Sequence, residues 1–199
     1  MLCKLLNYTP LTLASNAIRQ SHDNQNLSDS MGDLIGDKDR ALIDRVGNKM
    51  KHSSTLEFLN YVWEIEMSTK TLLAFTRHRI GTSMTIRSTR YTTQKNKGKH
   101  QVQYTDKTKD YLERIMDIVN EAIEDGLNND EISLLLPQGY IYKGQIQFNA
   151  RSLQHFFKLR TKSDAHFQIR ELAFNLFDSL PDSHKYLFED IINNNIKGK

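Results

Sequence analysis

An α+β fold, helix-rich with a small mixed or antiparallel sheet, follows from two contrasting periodicities and a scarcity of breakers. Between Lys107 and Leu127 the apolar positions 112, 115, 116, 119, 122, 123 and 127 recur at helical spacing, and Gly126 closes the run. Tyr61, Trp63, Ile65 and Met67 instead alternate with Val62, Glu64 and Glu66, the period of a half-buried strand. Prolines stand only at positions 10, 137 and 181, so few segments are interrupted. At 199 residues the chain is expected to form a single domain, 1–199, with a core of its own.

Taken in order, residues 21–36 are polar and predict a loop. A helix over Lys38–Met50 follows, with Leu42, Ile43, Val46 and Met50 on one face. After the strand at 61–67, Ser68 is placed to cap a helix through Leu72 and Leu73 that ends near Arg77. The lysine-rich stretch 92–109 fits no periodicity and predicts a second loop. Beyond the long helix, Tyr140–Phe148 predicts another strand. Helices are then predicted over Ser152–Arg160, Ser163–Leu180 and Asp182–Ile196.

Composition removes several functional classes. Nine glycines form no Gly-x-Gly, which excludes a dinucleotide fingerprint of that kind, and no phosphate loop of the Gly-Lys-Ser/Thr type occurs. The seven histidines never stand four apart, and the lone Cys3 cannot make a Cys-x-x-Cys pair, so no metal site is expected. No apolar run approaches the roughly 20 residues that cross a bilayer. The amino terminus does not resemble a signal peptide, and a cytoplasmic protein, or one in the host cytoplasm if phage-encoded, is expected. A net charge of +3 suits a phosphate-bearing ligand without demanding nucleic acid.

The densest chemical signal runs from Arg77 to Tyr91. Arg77, Arg79, Arg87 and Arg90 fall there with His78 and several hydroxyls, a set able to grip phosphate oxygens. The same residues could equally serve a helix C-terminus through its dipole.

Spacing then points further. Arg77-His78-Arg79, eight residues, and Ser88-Thr89-Arg90-Tyr91 resemble the signature of the flavin-dependent thymidylate synthases, in the short subgroup of some bacteria and phages. Upstream, His52-Ser-Ser-Thr-Leu-Glu57-Phe58 is similar to the family's His-x-Ser/Thr-x-x-Glu-His without its final histidine. Downstream, Asn149-Ala-Arg151-Ser-Leu-Gln-His155-Phe-Phe-Lys-Leu-Arg160 resembles a third family motif almost unchanged. With Cys3–Pro10 and Ala165–Arg170, the resemblance spans about residues 2–180 in order.

The resemblance implies FAD as cofactor, with NADPH and methylenetetrahydrofolate as co-substrates in the methylation of dUMP to dTMP. It implies a homotetramer with sites shared between subunits, no membrane and no nucleic acid partner. Flavin-binding positions would be His52, Ser54, Glu57, Arg77, His78, Arg79, Ile80, Asn149, Arg151 and His155. The nucleotide would meet Arg77, Arg87, Ser88, Thr89, Arg90 and Arg160, with Arg160 on the uracil edge as the catalytic charge. His155, beside Phe156 and Phe157, could instead be a packed core histidine.

This sequence also departs from the pattern. No glutamine stands in Thr71–Thr76 just before Arg77, Ser133 stands where an arginine is common, and Arg87 replaces a usual Glu or Gln. Those changes leave open a pyrimidine-nucleotide hydroxymethylase or a dCMP-acting variant of the same fold. A non-enzymatic nucleic-acid module on residues 77–109 is a further alternative. It lacks aromatic interleaving, since only Tyr91 and Tyr104 punctuate that stretch.

Overall fold

In the computed structural model, which describes residues 2–197, an antiparallel sheet of four strands holds one face of the molecule in the order β1-β2-β4-β3. Its centre is β2 (Asn60–Ser68) against β4 (Ile141–Asn149), paired from Asn60–Asn149 to Ser68–Ile141. The alternation seen in the sequence decides which face goes in. Tyr61, Trp63, Ile65 and Met67 are buried beside Ile146 and Phe148 of β4. On the other face Glu66 meets its direct cross-strand partner Lys143 at 2.6 Å.

The edge strands β1 (Cys3–Tyr8) and β3 (Thr82–Ile86) were not foreseen. Neither alternates cleanly. In β1 only Cys3 and Leu5 are half-buried, and β3 carries mostly polar side chains on an exposed edge.

Ten α-helices complete the described chain. They are α1 (Thr12–Gln20), α2 (Asp37–Ile43), α3 (Thr69–Phe75), α4 (Thr89–Thr92) and α5 (Lys109–Glu124). The rest are α6 (Asn129–Ser133), α7 (Ala150–Arg160), α8 (Phe167–Asp178), α9 (Asp182–Lys185) and α10 (Glu189–Lys197). Phe156 and Phe157 of α7, with Ile169, Leu172 and Leu176 of α8, close the main core over the sheet. A smaller core, separate from it, joins Met116 and Val119 of α5 to Ile132 and Tyr140.

Several boundaries differ from the sequence reading for identifiable reasons. The helix expected over Lys38–Met50 stops at Ile43 and widens into a π-helical turn, Asp44–Lys49, which lays Gly47 against Leu56. The helix expected from Ser163 begins at Phe167, where the His166 ring caps it by accepting from the Gln168 amide. The last predicted helix divides into α9 and α10.

Between α1 and α2, the polar stretch 21–36 is tied down from within. Buried Asp39 accepts hydrogen bonds from Arg19, Ser28 and Ser30. Stretch 92–109 holds one short 3-10 turn, Gln94–Asn96, and a single bridge from Val102 to Tyr140.

Candidate active site

A basic cleft opens where α3, β3 and α7 meet, and local chemistry explains how each element ends there. Ser68 caps α3 by accepting from the Thr71 amide and donates to Gln168 at 2.8 Å, which anchors the helix to α8. After Phe75 the chain turns through Arg77-His78-Arg79, with the His78 amide on the Phe75 carbonyl at 2.9 Å. Gly81 then sits at φ 63°. A β-carbon at that position would collide with the Asn149 and Ser152 side chains, so the turn into β3 needs glycine twice over. Asn149 caps α7, accepting from the Ser152 amide at 2.8 Å, while its own amide binds the Gly81 carbonyl at 2.9 Å. The loop and the helix are thereby locked to each other.

The cleft has two lobes. The larger, about 680 Å³, is lined by Glu57, Arg77, Arg79, Ile80 and Arg151 among others. The smaller, about 390 Å³, lies toward Arg160 and Lys162. Arg77, His78 and His155 face both. Arg151 is paired with Glu57 at 2.6 Å, whereas Arg77, Arg79 and Arg160 meet no carboxylate within 4.0 Å among the described residues. The cleft is therefore a net positive, partly apolar hollow suited to an anionic, aromatic ligand.

At its wall, Arg160 Nε donates to His78 Nε2 at 3.0 Å, and Nη2 donates to the Ala74 carbonyl at 3.3 Å. Arg160 so closes the C-terminal end of α3, which is the helix-capping role its type invites, but on a neighbouring helix. Burial drives the His78 pKa down to about 4, with the Arg160, His155 and Arg77 charges adding to it. The Arg160 pKa is lowered too, by burial and then by Arg77, and a guanidinium stays charged all the same.

Eight of the residues singled out in the sequence come together here: Glu57, Arg77, His78, Arg79, Ile80, Arg151, His155 and Arg160. Asn149 lies beneath them as the helix cap. His155 is exposed at the cleft, so it is not a core histidine. His52 and Ser54 line neither lobe. His52 borders a hollow with Arg45 and Met50, and Ser54 one with Leu13 and Phe58.

The turn carrying Arg87, Ser88, Thr89 and Arg90 is also apart from the cleft. Thr82 lines the cleft, and at a strand rise of roughly 3.3 Å per residue Ile86 lies about 13 Å further on. There Arg87 Nη2 donates to the Ile141 carbonyl at 3.2 Å and the Tyr140 hydroxyl at 3.4 Å. Arg90 meets Asp130 of α6 at 3.3 Å, and Ser88 and Thr89 open α4.

Thr82, Ser152, Lys162 and Asp164 also line the cleft and were not picked from the sequence. Ser152 was within reach of that reading, one turn past the Asn149 cap. Among the described residues no cluster of His, Cys, Asp or Glu could hold a metal ion.

Comparison with known proteins assigns the chain to a family. Residues 4–183 match the family model described as thymidylate synthase complementing protein. The flavin-dependent thymidylate synthase of Campylobacter jejuni is 37% identical, over 97% of this chain and 98% of that protein. The chain belongs to the flavin-dependent thymidylate synthase family.

The Wolinella succinogenes member is 38% identical over 94% of this chain and 97% of its own length. A crystal structure of thymidylate synthase X from Helicobacter pylori with FAD and dUMP superimposes with a TM-score of 0.89 at 34% identity, covering 96% of this chain and 99% of that one. The α+β fold with its small antiparallel sheet is thus that of a flavin-dependent thymidylate synthase.

Proposed function

We propose that this flavin-dependent thymidylate synthase converts dUMP to dTMP at the Arg77–Arg160 cleft. The carrying observation is the convergence of two motifs about 70 residues apart, Arg77-His78-Arg79 and Asn149–Arg160, on one basic hollow with Arg160 at its wall. The residues present fit a flavin dinucleotide. Uncompensated guanidinium groups suit its pyrophosphate, while the His155 ring and the exposed Ile80 offer apolar surface to its ring system. Glu57, Arg77, His78, Arg79, Ile80, Asn149, Arg151 and His155 would hold it, a reading supported by their convergence on this cleft and its helix cap. In this reading the reduced flavin is the source of hydride, NADPH its reductant and methylenetetrahydrofolate the one-carbon donor.

The chain's own contribution is placement and charge. The Arg160 guanidinium faces the pyrimidine edge and stabilises negative charge at O2 and N3 as C5 becomes nucleophilic. No protein nucleophile is required. Cys3 is half-buried on β1, and burial raises its thiol pKa to about 11, which keeps it protonated and inert at neutral pH.

Assembly belongs to the same proposal. His52, Ser54 and the Arg87–Arg90 turn lie outside the cleft of their own subunit, which supports a homotetramer whose sites are shared between chains. Tyr111, Ile115 and Ile118 on one face of α5, with Leu134, leave an apolar surface for such contacts. We read the chain as one catalytic unit, acting in the cytoplasm. Among the described residues no helix is long and apolar enough to cross a membrane.

Release of tritium from the 5-position of labelled dUMP, in the presence of NADPH and methylenetetrahydrofolate, tests the assignment. Release from labelled dCMP but not from dUMP would replace it with the dCMP-acting variant.

A further inference from the structure

We infer that His78 is a positioning residue for Arg160: its neutral imidazole, protonated on Nδ1, accepts the Arg160 Nε–H and aims an uncancelled guanidinium into the cleft. This rests on the reading above, in which Arg160 serves the nucleotide, and gives His78 a task distinct from contact with the flavin.

The argument starts from what an arginine can do. Guanidinium nitrogens only donate, so at 3.0 Å the Nε2 atom of His78 must present its lone pair. A neutral imidazole with its proton on Nδ1 is the one form that does so. Burial and the surrounding positive charges of Arg160, His155 and Arg77 independently favour that neutral form. The proton left on Nδ1 has no protein acceptor among the hydrogen bonds of the described residues, and the ring borders both lobes of the cleft.

His78 is itself rigidly held, as a positioning residue must be. Its amide binds the Phe75 carbonyl at 2.9 Å and its carbonyl accepts from the Thr82 hydroxyl at 2.8 Å. Its ring packs edge-on to buried Phe156, 4.9 Å between centroids. Arg160 is the last residue of α7, where a long side chain would otherwise sample many rotamers. The Ala74 carbonyl fixes a second point, which leaves the Nη1 hydrogens and one of Nη2 for a ligand.

The choice of histidine has a chemical reason. A carboxylate at this position would hold the guanidinium at least as firmly, but it would also neutralise the charge that the reaction uses. A neutral acceptor orients the arginine and leaves its charge intact.

The test uses the flavin-loaded enzyme. Nitrogen-15 NMR of the imidazoles should show His78 with a pyrrole-type Nδ1 and a pyridine-type Nε2 at neutral pH. His78→Phe keeps the ring volume and removes the acceptor, whereas His78→Gln restores an acceptor near the Nε2 position. The Phe variant should lose on the order of 10²-fold in kcat per flavin bound. The Gln variant should recover most of that loss. The double variant His78→Phe/Arg160→Ala should be no slower than Arg160→Ala alone, because the histidine acts through the arginine.

Equal kcat in the Phe and Gln variants, additive losses in the double variant, or a protonated Nε2 would each overturn the inference. The NMR readout does not depend on turnover. A wild-type enzyme that released no tritium would therefore count against the proposed function, while the tautomer would still decide the pairing.

Discussion

At the Thr82 end of β3, arginine and histidine side chains are set by caps, a glycine turn and buried aromatic rings. At the Ile86 end the functional candidates are held by thinner means. Arg90 meets only Asp130, and both partners are about two-thirds exposed. Ion pairs of that kind contribute roughly 0–1 kcal/mol and pin a side chain weakly. Beneath that turn lies the small core of Met116, Val119, Ile132 and Tyr140, against the full sheet-and-helix core beneath the cleft. The cleft end is thus held firmly by contacts within one chain. The turn end carries phosphate-type chemistry but lines neither lobe of the cleft, the arrangement that the proposed sharing of sites between chains calls for.

The harshest test of that contrast is Arg160→Ala. Tritium release should fall on the order of 10²–10³-fold while the flavin stays bound, as its visible absorbance would report. Loss of flavin together with activity would merge Arg160 with the cofactor cradle and remove its separate role.

A test nearly as large asks whether the two ends belong to one site. Arg90→Ala and Arg160→Ala proteins should each be close to inactive as homo-oligomers. Co-expressed in equal amounts, they should regain about one site in four, since half the turns and half the α7 helices are intact. Mixed oligomers that stay inactive, or a monomer by light scattering, would return both arginines to the same chain's site.

The legibility of the sequence follows the same divide. Tyr61–Met67 announced β2 because one face of that strand is wholly buried, and burial is what writes a period of two. The cap at Ser68 and the helix of Asn149–Arg160 could likewise be read, because their chemistry is local. Strands β1 and β3 could not, since an edge strand buries too little to impose a pattern. The π-helical turn at Asp44–Lys49 answers to Leu56, nine residues past Gly47, and a tertiary contact of that sort leaves no periodic trace. Within the site, motif residues marked the cleft. That Arg87 would turn inward to Tyr140 and Ile141 depends on packing between β3 and the second core.

Two glycines sharpen the comparison at the level of stability. Gly81 and Gly98 both have positive φ, at 63° and 71°. Gly98→Ala meets open space and should cost about 1 kcal/mol from backbone strain alone. Gly81→Ala adds overlap with Asn149 and Ser152 and should cost about 2–3 kcal/mol in urea unfolding. Equal costs would show that the cleft turn is no tighter than the loop.

Acid should weaken both ends in the same direction. His78 is driven to about 4 by burial, and His100 is lowered by burial and then by Arg87. In the unfolded chain both revert to about 6.5. As pH falls from 6.5 toward 4, the unfolded chain binds protons that the folded chain refuses, so stability declines through that window and is fully present above it. Melting curves across it should be flatter for His78→Gln than for wild type. An unchanged slope would mean that the cleft histidine is already charged.

The smallest effect should come from Cys3→Ser. The thiol lies on β1, 4.0 Å from the Ser179 hydroxyl, and it lines neither lobe of the cleft. Its high pKa leaves almost no thiolate at neutral pH, and the proposed chemistry forms no bond to the enzyme. Tritium release should stay within a few-fold of wild type, and the exchange of sulfur for oxygen should cost only part of a hydrogen bond's worth of stability, about 1 kcal/mol. A dead Cys3→Ser enzyme that still folds and binds flavin would show a covalent thiol adduct on the pathway. The active centre would then have to extend to the far edge of the sheet, and the division between the two ends of β3 would no longer describe it.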